Sequence, residues 1–359
     1  MKRLSVAAFV LALAAGSASA AKKKPSSADF PACLGPSLPM TVSDDMPYAR
    51  VAFDGGRSGL FVLDYGSNNS KVSLPAIPGL APIPDSCDPS RLNQNCPVDG
   101  FNFGSLRGRV SLKTADFSDI GAISTTGGPV RQAGMISTDL LALYVHTLRY
   151  GEGLVSQAPE GSFCAPETMR AHGFAALSTD GYFARDAKRL KPYRALDETY
   201  AGPWAVSNNP IVPIRIAGVP SIADMDTGYG DFPVRHSINI NRALLDRIVA
   251  AKPGALKRWP EKDTTLSTCV PDVREKVEAY TLADGAIEFI ADDGSVARRE
   301  TSAAVYVKRT PPQARKACGG IGAWTVPAAQ LGDTFMIDMS TVAFDPFASR
   351  VWIPAERER

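Results

Sequence analysis

The feature that most constrains this chain is a unit of two strands and a tight turn that ends in Asp-x-Gly and occurs once in each half. Residues 48–63 lead into Asp64-Tyr65-Gly66-Ser67, and residues 211–225 lead into Asp226-Thr227-Gly228. A buried strand that ends in a carboxylate and then a glycine presents that carboxylate at a sharp turn. The repetition in a fixed order predicts two related lobes.

Composition favours a β-rich fold with short elements. The 359 residues include 30 Gly and 28 Pro, spread along the chain, which is typical of many strands and turns. A hairpin is predicted over 286–307 around Asp292-Asp293-Gly294, and a helix over 241–251 with Leu244, Leu245, Ile248 and Val249 on its apolar face. The near balance of 39 Lys+Arg against 37 Asp+Glu, with no basic stripe, argues against nucleic acid as a partner.

The N-terminus has the pattern of a secretory signal peptide. Residues 1–20 combine Lys2-Arg3, an apolar run too short to span a membrane, and a closing Ala18-Ser19-Ala20. We therefore expect an exported protein, periplasmic or extracellular, without a stable membrane span. Its mature chain would begin with a tail and lead-in at 21–47.

The cysteine count fits that compartment. Six cysteines in an oxidising environment predict three disulfides, although sequence alone leaves 15 pairings open. No CxxC occurs, so zinc and redox roles have little support. Spacing along the chain suggests three candidate pairs: Cys87 with Cys96, Cys269 with Cys318, and Cys33 with Cys164.

The two Asp turns resemble the active-site turns of the pepsin-like aspartic peptidases, and the chain looks like a divergent, bacterial-type member. Further landmarks occur in the family's order over nearly the whole of residues 48–353, with divergent sequence between them. They are a flap-like start at 103–108, an apolar segment with glycine at 133–137, and strand-like segments at 331–335, 342–345 and 350–353 that resemble the closing strands of the second lobe.

The resemblance implies an all-β, bilobal, double-β-barrel fold with a few short helices. The N-terminal lobe would cover 48–160 with the first Asp turn, and the C-terminal lobe would cover 205–359 with the second. Residues 161–204 would connect the lobes and include a short helix near 166–172.

The resemblance also implies an aspartic-type endopeptidase. Asp64 and Asp226 would face each other, share one proton and activate a water, with no metal or cofactor. The substrate would be a peptide or unfolded protein, and the enzyme a monomer. Residues expected to support the turns are Gly66, Ser67, Thr227 and Gly228, and the candidate flap residues are Phe101, Phe103 and Gly104.

Three positions depart from the family pattern. Tyr65 stands where the family has Thr or Ser, whose hydroxyl helps to lock the turns together, whereas Thr227 keeps that hydroxyl in the second turn. Ser67 is placed to hydrogen-bond its Asp, but Tyr229 occupies the matching position in the other lobe. The flap Tyr is missing. These changes bear directly on catalytic competence.

Three other interpretations are open. The first is a pepsin-fold module that binds a peptide or envelope component without cleaving it. The second is a pair of carboxylates that only cap turns. The third is a β-rich envelope protein with unrelated lobes, in which the two Asp carboxyls would lie far apart. A Ser-His-Asp hydrolase is disfavoured because no G-x-S-x-G occurs.

Overall fold

The computed structural model describes residues 32–202, 205–231, 234–268, 270 and 272–356. The proposed signal peptide at 1–20 and most of the tail lie outside these residues. Strand accounts for 40% of the structure and helix for 18%, so the prediction of a mostly β chain is confirmed.

The described residues form 22 strands, labelled here in chain order. They are β1 Ser37–Ser43, β2 Met46–Phe53, β3 Arg57–Leu63, β4 Lys71–Val72, β5 Asn95–Phe103, β6 Leu106–Thr114, β7 Gln132–Ile136, β8 Val145–Arg149, β9 Leu154–Ala158, β10 Phe174–Ser178, β11 Ile211–Ile216, β12 Val219–Met225, β13 Ser237–Asn241, β14 Leu256–Arg258, β15 Thr264–Ser267, β16 Arg274–Leu282, β17 Ile287–Ile290, β18 Val296–Glu300, β19 Ala304–Lys308, β20 Ala328–Leu331, β21 Thr341–Asp345 and β22 Arg350–Pro354.

Five α-helices accompany these strands in the described part of the chain. They are α1 Thr138–Leu141, α2 Pro166–Ala171, α3 Arg242–Ala251, α4 Pro312–Cys318 and α5 Asp333–Met339.

The first sheet has twelve strands and contains a closed barrel. Strands β2, β3, β7, β4, β6 and β5 are neighbours in that order, and a further pairing of β5 with β2 closes the ring. The sheet continues from β2 through β1, β9, β8, β21 and β22 to β10. β21 and β22, which we expected to close the second lobe, instead pair with strands from the first half of the chain. Val342 of β21, for example, lies opposite Leu148 of β8.

The second sheet repeats the winding of the barrel without closing. In the first half, β3 follows β2 as a hairpin, runs parallel to β7, and β7 is antiparallel to β4. In the second half, β12 follows β11, runs parallel to β20, and β20 is antiparallel to β13. The outer parallel pairs β4–β6 and β13–β19 also correspond. Each half therefore holds one Asp-bearing strand at an equivalent place, β3 or β12.

The predicted helix and hairpin of the second half are both present. The side chain of Asn241 caps α3 by accepting a hydrogen bond from the N–H of Leu244 at 3.0 Å. Leu244, Leu245 and Ile248 are buried as expected, but Val249 is 54% exposed, so its assignment to the apolar face was wrong. At 100° per residue it lies just past the edge of the buried stripe. Strands β17 and β18 form the hairpin around 292–294.

One segment near the C-terminus was assigned to the wrong class. Residues 331–335 were expected to form a strand, but Phe335 is buried in α5, which starts at Asp333, with one residue between it and the end of β20. A short apolar run fits either a strand or a buried helix, because periodicity cannot separate the two at this length.

Two predicted disulfides are present. Cys33 bonds to Cys164 and Cys87 bonds to Cys96. In the third candidate pair, Cys269 lies outside the described residues. Disulfides persist in oxidising compartments, so the two bonds point to such an environment. Among the described helices, none has the length and apolar character needed to cross a membrane.

Candidate active site

The two strands that carry the Asp turns end side by side. Asp64 follows β3 directly and Asp226 follows β12 directly, and both side chains are buried. The N–H of Asp64 donates to the carbonyl oxygen of Ile136 at 2.8 Å, which continues the parallel pairing of β3 with β7. The apolar strands fix the turns because their side chains fill the core on both faces.

Two glycines allow the turns to meet. A Cβ on Gly66 would lie 2.0 Å from Cγ of Asp226, and a Cβ on Gly228 would lie 2.5 Å from Cγ of Asp64. Any side chain at either position would therefore displace the carboxyl group of the other lobe. Each glycine N–H donates to Oδ1 of the Asp in its own turn at 2.8 Å. The need for glycine here comes from close approach rather than from a left-handed backbone.

The carboxyl groups of Asp64 and Asp226 approach each other where the two turns meet, close enough for each to change the pKa of the other. Burial raises the pKa of Asp64 well above its usual value, and the charge of Asp226 raises it further. Burial also raises the pKa of Asp226, but there the N–H groups of Gln330 and Gly228 oppose the shift. Two buried carboxyls at this separation share one proton, since ionising both is costly. The interpretation with distant carboxyls is thereby excluded.

Thr227 joins the two turns. Its hydroxyl donates to the carbonyl oxygen of Leu63 at 2.5 Å and accepts from the N–H of Tyr65 at 3.0 Å. Thr227 is fully buried, so these two backbone groups of the opposite lobe are satisfied by one side chain. The hydroxyl expected in the second turn therefore connects the two turns.

Tyr65 cannot return that contact, because its ring lies in the core instead. The ring stacks on Phe344 with centroids 3.8 Å apart and meets the edge of Phe183 at 5.8 Å. Its direction leaves Asp64 facing Asp226, so the large residue is accommodated by packing against β21. The Tyr65 hydroxyl is buried without a hydrogen-bond partner among the described residues.

Tyr65→Phe is expected to stabilise the protein. Removing a buried, unsatisfied hydroxyl avoids a desolvation cost of about 1–3 kcal/mol while the ring keeps its stacking on Phe344. The free energy of unfolding from urea titration should rise by about 1 kcal/mol or more with an unchanged m-value. A fall in stability would show that the hydroxyl has a partner that the packing conceals.

Gln330 is a site residue that the sequence reasoning missed. Its Nε2 donates to Oδ2 of Asp226 at 2.5 Å, and its Oε1 accepts from Nδ2 of Asn239 at 2.9 Å. Gln330 thus supplies a donor to Asp226, in the turn where Tyr229 replaces the expected hydroxyl. Gln330 is the one polar residue in the otherwise apolar strand β20, and this feature of the sequence could have identified it as a site residue.

Asp224 adds a third buried carboxyl two residues before Asp226. Its Oδ2 accepts from Nδ2 of Asn209 at 3.1 Å, while Oδ1 has no hydrogen-bond partner among the described residues. Burial raises the pKa of Asp224 well above its usual value, and the charge of Asp226 adds to the shift. Asp224 therefore favours its neutral form, since a charge there would be buried beside two other carboxyls.

Gln330→Leu is expected to move the acid limb of any pH–rate profile upward. The amide stabilises ionised Asp226, so its loss raises the pKa of Asp226 and the base is lost at a higher pH. A hydrogen bond to a charged group contributes about 1.5–3 kcal/mol, which corresponds to roughly one to two pH units. The profile of kcat/KM against pH measures the shift, and an unmoved acid limb would contradict it.

Ser67 and the candidate flap residues lie away from the expected positions. The Ser67 hydroxyl accepts from the N–H of Asn69 at 3.4 Å rather than donating to Asp64. Phe101 packs edge-on against Phe53 inside the barrel, and Phe103 stacks on His146.

The turn between β5 and β6 packs on the first sheet instead of covering the carboxyls. A Cβ on Gly104 would lie 2.2 Å from Oε1 of Gln157, which also accepts the N–H of Ser105 at 2.8 Å. The prediction that this turn is a flap was therefore wrong. The pairing of β5 with β2 closes the barrel and places the turn of the hairpin against the first sheet rather than over the two carboxyls.

A scan against protein-family models gives no match to this chain, and a search of curated proteins gives none. Function is therefore inferred from the residues and geometry of the site itself.

Proposed function

We propose that this chain is an aspartic-type endopeptidase with a bilobal, pepsin-like fold. The observation that carries the proposal is the pair of buried carboxyls of Asp64 and Asp226, which two turns of the same form bring together from two sheets of the same winding. Each carboxyl is buried, backed by a glycine N–H and pressed against the glycine of the other turn. This is the arrangement that lets two carboxyls share one proton.

The hydrogen-bond donors around Asp64 and Asp226 suggest which carboxyl acts as the base and which holds the shared proton. Asp226 accepts from the N–H groups of Gly228 and Gln330, whereas Asp64 accepts from the backbone of Gly66. More donors favour the ionised form, so Asp226 is the base that takes a proton from water and Asp64 holds the shared proton. Macroscopic titration would still belong to the pair.

Hydrolysis then proceeds without a covalent intermediate. Water between the carboxyls loses a proton to Asp226 as its oxygen bonds to the peptide carbonyl carbon, and Asp64 donates its proton to the carbonyl oxygen. The tetrahedral intermediate collapses when the amide nitrogen receives the proton from Asp226 and the C–N bond breaks. Loss of the hydroxyl proton back to Asp64 restores the starting state.

The setting we propose is outside the cytoplasm. The N-terminal pattern of a signal peptide and the two disulfides both support export to a periplasm or the medium. There the enzyme would act as a monomer on peptides or unfolded proteins. No metal or cofactor has a role in this mechanism.

The test is cleavage of unfolded protein by the purified mature chain between about pH 3 and 7. Because burial raises the pKa of Asp64 well above its usual value, the shared proton should persist at a higher pH than an ordinary carboxyl would hold it, and activity should extend into mildly acidic solution. Mass spectrometry of the products should show internal cleavage. Absence of cleavage across this range would overturn the proposal.

A non-catalytic peptide-binding module is the second candidate. It is favoured by the donor from Gln330, which occupies Oδ2 of Asp226, and by the ring of Tyr65, which packs in the core and leaves the first turn without a hydroxyl that contacts the second turn. A binding module would hold peptides with equal affinity in the wild type and in Asp64→Asn, and would release no products.

A further inference from the structure

A cavity beside the Asp pair is lined by lysines from both halves of the chain. Its volume is about 520 Å³, and Gly66 and Gln330, which both contact Asp226, form part of its wall. Lys71, Lys113 and Lys308 line the same cavity. Three ammonium groups next to a proposed peptidase site form a concentrated positive charge in a chain whose overall charge is nearly balanced.

Two of these lysines stand side by side. Lys71 of β4 and Lys113 of β6 are directly opposite in the parallel pairing of the two strands. Like charges at opposed positions destabilise a sheet, a cost that the negative charge of Asp139 near Lys113 offsets in part and that a bound anion would reduce further. Burial lowers the pKa of Lys113, and the charge of Lys71 lowers it further, in keeping with this repulsion.

Lys308 brings the third charge from the other half. It ends β19, the strand that corresponds to β6 in the repeated winding. Glu275 lies 3.9 Å from its ammonium group, at the outer limit of an ion pair. Lys71 lowers the pKa of Asp64 and Lys308 lowers that of Asp226, so the positive field reaches both reactive carboxyls.

The cavity also presents polar atoms that lack partners. Oδ1 of Asp224 and Oδ1 of Asn209 belong to residues of its lining, and both atoms are buried without a hydrogen-bond partner among the described residues. Asp224 is only 5% exposed, so a ligand oxygen that accepts a hydrogen bond would be the missing partner of its neutral carboxyl, whereas Oδ1 of Asn209 is an acceptor and would need a donor such as a peptide N–H. A neutral Asp224 can donate a hydrogen bond to an anionic oxygen.

We propose that this cavity is a specificity subsite for an acidic side chain, Asp or Glu, near the scissile bond of the peptide substrate. Lys71, Lys113 and Lys308 would bind the carboxylate, and Asp224 would donate to it. The inference rests on the proposed peptidase function for its placement, but the charge preference can be tested with or without catalysis.

The catalytic test uses peptides that differ only by Glu or Gln at one position, scanned over the three residues on either side of the cleaved bond. At one of these positions the Glu peptide should have a kcat/KM about tenfold higher, a ratio that added salt reduces. In Lys71→Glu the ratio should fall to about one or invert. Lys257→Glu, an exposed charge reversal on β14, should keep it. Comparing ratios removes the effect of Lys71 on Asp64, since both peptides meet the same dyad.

The binding test separates the two proposals. Fluorescence anisotropy with Asp64→Asn measures affinity for the same labelled peptides when no product can form. Tighter binding of a Glu peptide, lost in Asp64→Asn/Lys71→Glu and kept in Asp64→Asn/Lys257→Glu, supports the subsite even if the wild type cleaves nothing. Equal affinity for every Glu and Gln pair would overturn the subsite, even if the wild type is an active peptidase.

Discussion

Replacing Asp226 by Asn is expected to lower peptide hydrolysis at least about 10³-fold. Asn is nearly isosteric, so the close contact with Gly66 and the N–H bond from Gly228 can persist. An amide, however, cannot take a proton from water, and general acid–base catalysis contributes roughly 10²–10⁴-fold. Asp64→Asn should lose activity to a similar degree because the shared proton needs both carboxyls. The measurement is kcat/KM on a defined peptide.

Folding has to be separated from chemistry in that experiment. Both carboxyls are buried and repel each other when ionised, so each Asn variant should unfold at the same denaturant concentration as wild type or a higher one. Asp246→Asn on the exposed face of α3 is a matched control that should keep full activity. Retention of more than a tenth of the wild-type activity by Asp226→Asn would remove Asp226 from the mechanism.

The placement of the Asp turns could be predicted because it depends on short-range sequence. An apolar strand followed by Asp-x-Gly fixes where a carboxyl emerges, and the same pattern twice indicates a repeated fold. The sequence could not show whether the large side chain of Tyr65 would prevent Asp64 from facing Asp226. Its ring is accommodated by Phe344 and Phe183, which are more than 100 residues away along the chain.

Gln330 and Asp224 were missed for a related reason. Gln330 becomes part of the site only through the parallel register of β12 with β20, which places it opposite Asp224, and Asp224 matters only because that part of β12 is buried. The sequence shows Asp224 as a carboxylate within an apolar strand, but an Asp close to a turn can have several structural roles. A polar residue in a short buried strand is the better signal, because burial demands a partner for it.

The wrong assignments of the flap and of the two last strands share one physical cause. The sequence of β5 and β6 is typical of a β-hairpin. Closure of the barrel, however, determines which side of the molecule the turn of this hairpin packs against. Likewise, β21 and β22 have the alternation of strands, yet nothing local tells which sheet they join. The energy of pairing between strands that are far apart in the chain decides between these arrangements, and that energy cannot be estimated from a single sequence.

Thr227→Ala is expected to lower both stability and activity. The Thr227 hydroxyl satisfies the N–H of Tyr65 and the carbonyl of Leu63, and removing it leaves two buried backbone groups without partners. At about 1–3 kcal/mol for each unsatisfied group, the free energy of unfolding should fall by about 2–6 kcal/mol. Since Tyr65 cannot supply the reciprocal contact, Thr227 is the side chain that couples the turns here.

Activity should fall further than stability alone explains. A loosened turn lets Asp64 drift relative to Asp226, and misplacement by about 1 Å can cost about 10²-fold in rate. Thr227→Ser keeps the hydroxyl and should remain within about 1 kcal/mol of wild type in urea unfolding, with activity within about tenfold. Comparing the three proteins at a temperature where all are folded isolates the positional effect. Equal kcat/KM in Thr227→Ala and wild type would show that the dyad keeps its geometry without this bridge, and the coupling role of Thr227 would be wrong.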